Sequence, residues 1–105
     1  MIGFYTMNWE GVVRAATEAK AQEQELDDDR CRVAFHEAAN GKIISTVFLP
    51  ICLMFEDGSP QCFETVIVWN CKSKVVKRYS TFEAAIYGHD GFVTLACLSE
   101  QEGIV

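Results

Sequence analysis

Long apolar runs are absent from this sequence of 105 residues, although half of its residues are hydrophobic. No stretch approaches the ~20 apolar residues that a membrane-spanning helix requires. The opening segment, Met1 to Thr6, also lacks the basic flank and the apolar core of a signal peptide. We therefore expect a protein that works in the cytoplasm, where thiols stay reduced.

Closely spaced cysteine pairs are missing as well. The gaps between the five cysteines fit neither a zinc site, which needs close ligand pairs, nor a disulfide framework. We interpret the cysteines as free thiols that pack like small apolar side chains. Motifs for phosphate loops, dinucleotide-binding turns, zinc proteases, serine hydrolases and calcium loops are also absent. The sequence therefore predicts no metal site, no cofactor and no enzyme activity.

Basic side chains are in the minority, nine against fifteen acidic ones, which gives a formal net charge of −6. This charge disfavours direct contact with nucleic acid or anionic membranes and favours a partner with a basic protein surface. Many of the carboxylates lie in one short segment, and the candidate partner-binding residues are Glu23, Glu25, Asp27, Asp28 and Asp29. An ordinary solvated face gives the same pattern, so both interpretations stay open.

Helical periodicity occurs near each end of the chain. Trp9 and the apolar residues after it recur at three- and four-residue spacing, which predicts a helix over 8–25 that docks through this stripe, with Asn8 as its N-cap. A capping-box pattern opens a second predicted helix over 80–98. Residues 99–105 are expected to form a frayed tail.

The region between these helices has a hydrophobic period of two, which predicts an antiparallel sheet over 31–79. A type I′ turn at Asn40-Gly41 would place Phe35 opposite Thr46 in the first hairpin. We expect one α+β domain over residues 1–105, in which a four-stranded antiparallel sheet carries the N-terminal and the C-terminal helix on one face.

Departures from these regular patterns are informative. Pro50 interrupts the strand ladder because it offers no backbone donor, so residues 51–55 are either an edge extension or a buried connector. Val66 to Trp69 form a near-continuous apolar run, which indicates a strand covered on both faces. Gly88 and Gly91 weaken the second helix, which indicates close packing or a kink there.

Three polar residues are candidates for a ligand site or a structural polar cluster: Glu64, Tyr79 and His89. Glu64 lies in an otherwise apolar strand, so it either faces solvent opposite Lys77 or Arg78 or is paired in a site. His89 lies on the apolar stripe of the second helix, where it is either a half-buried, hydrogen-bonded side chain or a general base. A small enzyme or ligand-binding domain that uses these residues is therefore one hypothesis.

Short motifs follow one another in a definite order between Asp28 and Val93. They are ISTVFL at 44–49, FET at 63–65, RYST at 78–81, Glu83-Ala84 and Gly88-His89. Their order and spacing resemble a family of small proteins encoded by tailed bacteriophages and prophages. The chain departs from the family's pattern after Leu49, at Pro50 to Leu53. The resemblance implies a viral origin and the host bacterial cytoplasm as the place of action, but it implies no reaction.

Small size, negative charge and the lack of catalytic motifs favour a non-enzymatic protein-binding module that acts on a host protein. An anti-defence inhibitor of the anti-CRISPR kind, whose acidic segment mimics nucleic-acid charge, is one such module. The alternatives are a phage structural or assembly protein, a homo-oligomer such as a homodimer, and the enzyme or ligand-binding domain described above. An exposed apolar patch around Trp69 or residues 51–55 would favour an assembly role.

Overall fold

Two antiparallel sheets and three helices make up the computed structural model, which describes residues 2–104 and the side chains of residues 2–98. The strands are β1 (Ile2–Met7), β2 (Val13–Ala15), β3 (Arg32–Glu37), β4 (Ile43–Phe48), β5 (Ile51–Leu53), β6 (Phe63–Trp69) and β7 (Lys72–Tyr79). The helices are α1 (Glu18–Glu25), α2 (Asp28–Cys31) and α3 (Phe82–Ile104). The expected α+β class is confirmed.

The larger sheet has the strand order β3-β4-β6-β7, as four antiparallel strands. Ile44, Thr46 and Phe48 of β4 lie on one face, because residues two apart along a strand share a side, and all three are buried. α3 packs across this face. Phe48 and Phe63 form its centre, with ring centroids 5.4 Å apart. The predicted sheet over 31–79 and its C-terminal helix are therefore present.

The first hairpin of this sheet is one residue out of the predicted register. Phe35 pairs with Ser45 and not with Thr46. Ala38 pairs with Lys42, since the amide of Ala38 donates to the carbonyl of Lys42 at 2.8 Å. The loop therefore holds three residues, 39–41, and not the two of the predicted turn. A one-residue shift moves every side chain of a strand to the other face. Thr46 consequently faces α3, whereas Phe35 lies on the opposite side and is 50% exposed.

The predicted helix over 8–25 is wrong in its first half, because only α1 is helical there. The preceding residues form the β1–β2 hairpin instead. Asn8 does not cap a helix; its Oδ1 accepts hydrogen bonds from the backbone amides of Glu10 and Val12 within the hairpin turn. Gly11 in this turn has φ +85°, which a continuing helix does not allow. Local turn chemistry therefore overrides the apolar spacing.

α1 packs on the smaller sheet, whose order is β2-β1-β5, so the expectation that both helices share one face of the larger sheet is wrong. The contact depends on Gln24, which is buried. Its Oε1 accepts from the amide of Met7 at 2.9 Å, and its Nε2 donates to the Met7 carbonyl at 3.0 Å. The side-chain amide of Gln24 thus makes the two backbone hydrogen bonds that a neighbouring strand would make to Met7, and it fixes α1 against the end of β1.

Residues 51–55 are neither an edge extension of the larger sheet nor a plain connector, because they contribute β5 to the smaller sheet. Ile51 pairs there with Phe4. Pro50 is buried between β4 and β5, and its carbonyl accepts from the amide of Tyr5 at 2.9 Å. The β4–β5 segment therefore gives one strand to each sheet.

α3 is longer than the helix predicted over 80–98. Residues 99–104 continue the helix and do not form the expected tail, and Val105 lies outside the described residues. The N-cap is Thr81, whose hydroxyl accepts from the amide of Ala84 at 3.1 Å. The helix consequently starts one residue later than the capping-box pattern indicates.

Candidate functional site

A buried network of hydrogen bonds joins the larger sheet to α3 and contains two of the three predicted polar residues. Thr46 Oγ1 lies 2.7 Å from Thr65 Oγ1 and 2.8 Å from His89 Nδ1. The Thr65 hydroxyl lies 3.1 Å from the hydroxyl of Tyr79. None of the four side chains is more than 5% exposed. Tyr79 and His89 are therefore brought together through two threonines that sequence reasoning did not identify.

Strand register and one glycine position this network. Thr46 and Thr65 are direct partners on adjacent strands. Tyr79 comes from the next strand, β7, and lies beneath α3. A Cβ atom at Gly88 would overlap the hydroxyl and ring of Tyr79, so only glycine lets α3 pass this close. The close packing that Gly88 indicated in the sequence is the contact with Tyr79.

Burial determines the chemistry of His89. Desolvation lowers the pKa of His89, His36 on β3 lowers it further, and Asp90 partly offsets both effects. In the neutral form, donation can run from Tyr79 through Thr65 and Thr46 to Nδ1, and this direction gives every hydroxyl proton of the network an acceptor. In the reverse direction the Tyr79 hydroxyl only accepts. The group within hydrogen-bond reach of Nδ1 is a threonine of the core, as expected for a structural histidine.

Glu64 lies on the other face of the sheet from this network, because side chains alternate along β6. It pairs in register with Arg78, and its Oε2 lies 3.5 Å from Arg78 Nε. The prediction that Glu64 lies opposite Lys77 or Arg78 is confirmed for Arg78. The three candidate residues therefore do not form one cluster.

The five candidate partner-binding carboxylates are all exposed on α1, α2 and the turn that joins them. Two caps order this segment: Thr17 Oγ1 accepts from the amide of Lys20 at 3.2 Å, and Asp27 Oδ1 accepts from the amide of Arg30 at 3.3 Å. Because Gln24 points inward, the charged side chains around it point outward. The acidic residues are thus presented on an ordered backbone.

Sequence reasoning missed two apolar side chains in the same region. Trp9, which the helical prediction placed on a docking stripe, is 77% exposed, and Leu26 is 88% exposed. The guanidinium carbon of Arg30 lies 6.0 Å from the centroid of the Trp9 ring, so Trp9 stands beside α2. Leu26 is the one apolar residue between Glu23 and Asp29, a signal that was visible in the sequence. We call Trp9 together with residues 23–30 the acidic projection.

All five cysteines are free, as predicted, but Cys71 is exposed in the β6–β7 turn and does not pack like an apolar side chain. Burial raises the pKa of the Cys62 thiol to about 12, and burial with the nearby charge of Asp27 raises that of Cys31 to about 11. Burial also raises the pKa of Cys52. These three thiols stay protonated at neutral pH and are poor nucleophiles.

Sites for ions are not evident in the part of the chain that the structure describes. No group of three or more histidine, cysteine or carboxylate side chains there could hold a metal ion. A cavity of about 450 Å³ lies at the start of α3, but Glu10 and Glu83 line it and oppose the anion that a helix N-terminus would attract.

Among the described residues, no helix has the length and apolar content needed to span a membrane.

Comparison of the chain with protein-family models, curated proteins and solved structures gives no match. The resemblance to tailed-phage proteins therefore stays a prediction from motifs. Four residues of those motifs, Thr46, Thr65, Tyr79 and His89, form the buried network. Gly88, from the last motif, makes room for it. The motifs thus have a structural explanation in the packing of α3.

Proposed function

We propose that the protein is a non-enzymatic binding module of viral origin that acts in the host bacterial cytoplasm on a basic surface of a host protein. The acidic projection carries the proposal, because it combines five exposed carboxylates with the exposed side chains of Trp9 and Leu26. Tryptophan is strongly enriched among residues that dominate binding energy. Large apolar side chains that are exposed beside a cluster of carboxylates are expected where a partner supplies the missing cover.

Charge and apolar surface have different roles in this proposal. The carboxylates speed and orient the encounter with a basic surface, and this contribution weakens as salt increases. The indole of Trp9 supplies affinity. A tryptophan side chain buries about 150–250 Å² on full burial, which corresponds to roughly 4–6 kcal/mol before the costs of association. The caps at Thr17 and Asp27 reduce those costs, because they order the segment before it binds.

An anti-defence inhibitor of the anti-CRISPR kind is the specific form that we propose. Host defence proteins that bind nucleic acid present basic grooves, and the carboxylates of α1 and α2 would occupy positions that phosphates otherwise take. The net charge of −6 is consistent with a protein partner and disfavours direct nucleic-acid binding.

The alternative of a small enzyme or ligand-binding domain has less support. Glu64 lies on the opposite face from Tyr79 and His89, and the latter two are buried beneath α3. A phage structural or assembly role is favoured by a different observation, the exposed apolar face of the larger sheet that includes Phe35 and Val75.

The test is an affinity pull-down from bacterial lysate with the tagged full chain at low and at raised salt. The first variant combines Asp28→Lys and Asp29→Lys, which keeps the helix cap at Asp27; the second is Trp9→Ala. A matched control, Glu56→Lys with Asp90→Lys, makes the same change in charge at exposed positions outside the projection.

We expect one stoichiometric partner with the wild type and the control, and its loss with both projection variants. The wild-type complex should weaken as salt is raised, because the carboxylates contribute through screened electrostatic attraction. A partner retained by both projection variants, or no partner at low salt, would refute the proposal.

A further inference from the structure

The described chain leaves one face of the larger sheet open. α3 covers the face that carries Thr46 and His89. On the opposite face, Phe35 is 50% exposed and Val75 is 38% exposed. This second face, which we call the open face, shares no residue with the acidic projection.

The centre of the open face is largely apolar. Phe35, Val66 and Val75 lie in one row across the strands together with Ser45, and Ile43 and Val68 are paired in the neighbouring row, between Glu37 and Ser73. The solvent-facing side of an antiparallel sheet normally carries polar residues. The apolar run of β6 predicted a strand covered on both faces, and α3 supplies one of the two covers. The second cover is expected from another molecule.

Charged residues occupy opposite ends of the open face. Arg32 lies in the row that also contains Glu64 and Arg78, and Glu37 lies in the row at the other end. Because Glu64 is paired with Arg78 within the chain, Arg32 is left as the net positive charge of its row. The face therefore has a basic end and an acidic end, with the row that contains Phe35, Val66 and Val75 between them.

We propose that a second copy of this chain covers the open face, in a two-fold symmetric dimer packed sheet on sheet. A two-fold axis parallel to the strands would place Arg32 against Arg78 of the partner subunit, which is repulsive. An axis perpendicular to the strands places Arg32 against Glu37 of the partner subunit, and symmetry forms this pair twice. It also brings Phe35 and Val66 onto their own symmetry mates. Charge complementarity selects the second arrangement.

The size of the open face fits a dimer of moderate affinity. Four strands about 4.8 Å apart, each contributing roughly six residues at about 3.4 Å, cover on the order of 400 Å² in projection. Two such faces bury an area near the lower limit of specific protein interfaces, which is about 1,000 Å² in total. We expect a dissociation constant in the micromolar range and a folded monomer at high dilution.

The test is sedimentation velocity of the full chain over a concentration series. The single variants Arg32→Glu and Glu37→Arg each create two like-charge contacts across the interface, and each should raise the dimer Kd about tenfold or more. The double variant R32E/E37R reverses both charges and should restore the wild-type Kd to within about threefold. The two positions are about 17 Å apart along β3, so they cannot rescue one another within a monomer.

Arg14→Glu, at an exposed position of β2, is the matched control and should leave the Kd unchanged. Circular dichroism of each variant verifies that the fold is intact. A chain that stays monomeric at millimolar concentration would overturn the proposal. A dimer in which the single reversals have no effect, or in which the double variant fails to recover, would overturn the arrangement proposed here.

Discussion

Gly88 and Gly91 lie nearly one turn apart on α3, and substitution to alanine is expected to have opposite effects at the two positions. A Cβ at Gly91 meets no atom within 4 Å, so Gly91→Ala should gain the helix propensity of alanine, about 1 kcal/mol. A Cβ at Gly88 overlaps Tyr79, whose side chain is only 5% exposed and is hydrogen-bonded to Thr65. The pair therefore separates helix propensity from packing.

The size of the effect at Gly88 follows from the surroundings of Tyr79. Overpacking a core costs about 1–3 kcal/mol, and a weakened hydrogen bond between Tyr79 and Thr65 adds about 1 kcal/mol. The gain in propensity offsets about 1 kcal/mol of this cost. Gly88→Ala should thus lower the free energy of unfolding by about 1–3 kcal/mol, and the two variants should differ by about 2–4 kcal/mol.

Urea unfolding followed by circular dichroism measures this difference directly. In a thermal melt, the two variants should have Tm values about 10 °C or more apart, since 1 kcal/mol shifts the Tm of a domain this small by about 4–8 °C. If Gly88→Ala proves as stable as Gly91→Ala, α3 does not cross Tyr79 at Gly88, and the structural explanation of the motif fails.

Two further predictions concern the β6–β7 turn and the buried histidine. Asn70 and Cys71 form the β6–β7 turn with φ +52° and +62°. Cys71→Gly should relieve the left-handed strain and raise the free energy of unfolding, measured by urea titration, by about 1 kcal/mol. A decrease would mean that the cysteine side chain stabilises the turn. Burial lowers the pKa of His89 from the usual 6.5, so the unfolded chain binds a proton first as the pH falls, and stability should decrease through and below pH 6.5. His89→Asn should flatten this dependence between about pH 7 and pH 5, and equal slopes for both proteins would contradict it.

Local patterns predicted the fold well where an apolar face is continuous. The larger sheet and α3 follow from alternation and from a helical stripe, because each buries its apolar side against the other. The first half of the predicted N-terminal helix failed for a nonlocal reason. The spacing after Trp9 fits a helix, but the turn at Asn8 and the pairing of β1 with β5, which is remote in sequence, decide the structure.

The candidate site was predicted only in part. Hydrogen bonds link Tyr79 to His89 only through Thr65 and Thr46, which look like ordinary strand threonines in the sequence, and Glu64 lies outside this network. The misassigned hairpin loop also placed Thr46 on the same side as Phe35. One extra loop residue therefore concealed the network, because register is decided by turn geometry that composition alone does not specify.

The β4–β5 segment limits how the gene could be rearranged. β4 is a central strand of the larger sheet, β5 is an edge of the smaller one, and only Leu49 and Pro50 separate them. A chain break there, by proteolysis or by circular permutation, would disrupt the buried Pro50 and would also separate β5, which pairs with β1, from β4. Tolerated break points are expected instead at exposed turns such as Asp57-Gly58, where a Cβ on the glycine would meet no atom within 4 Å.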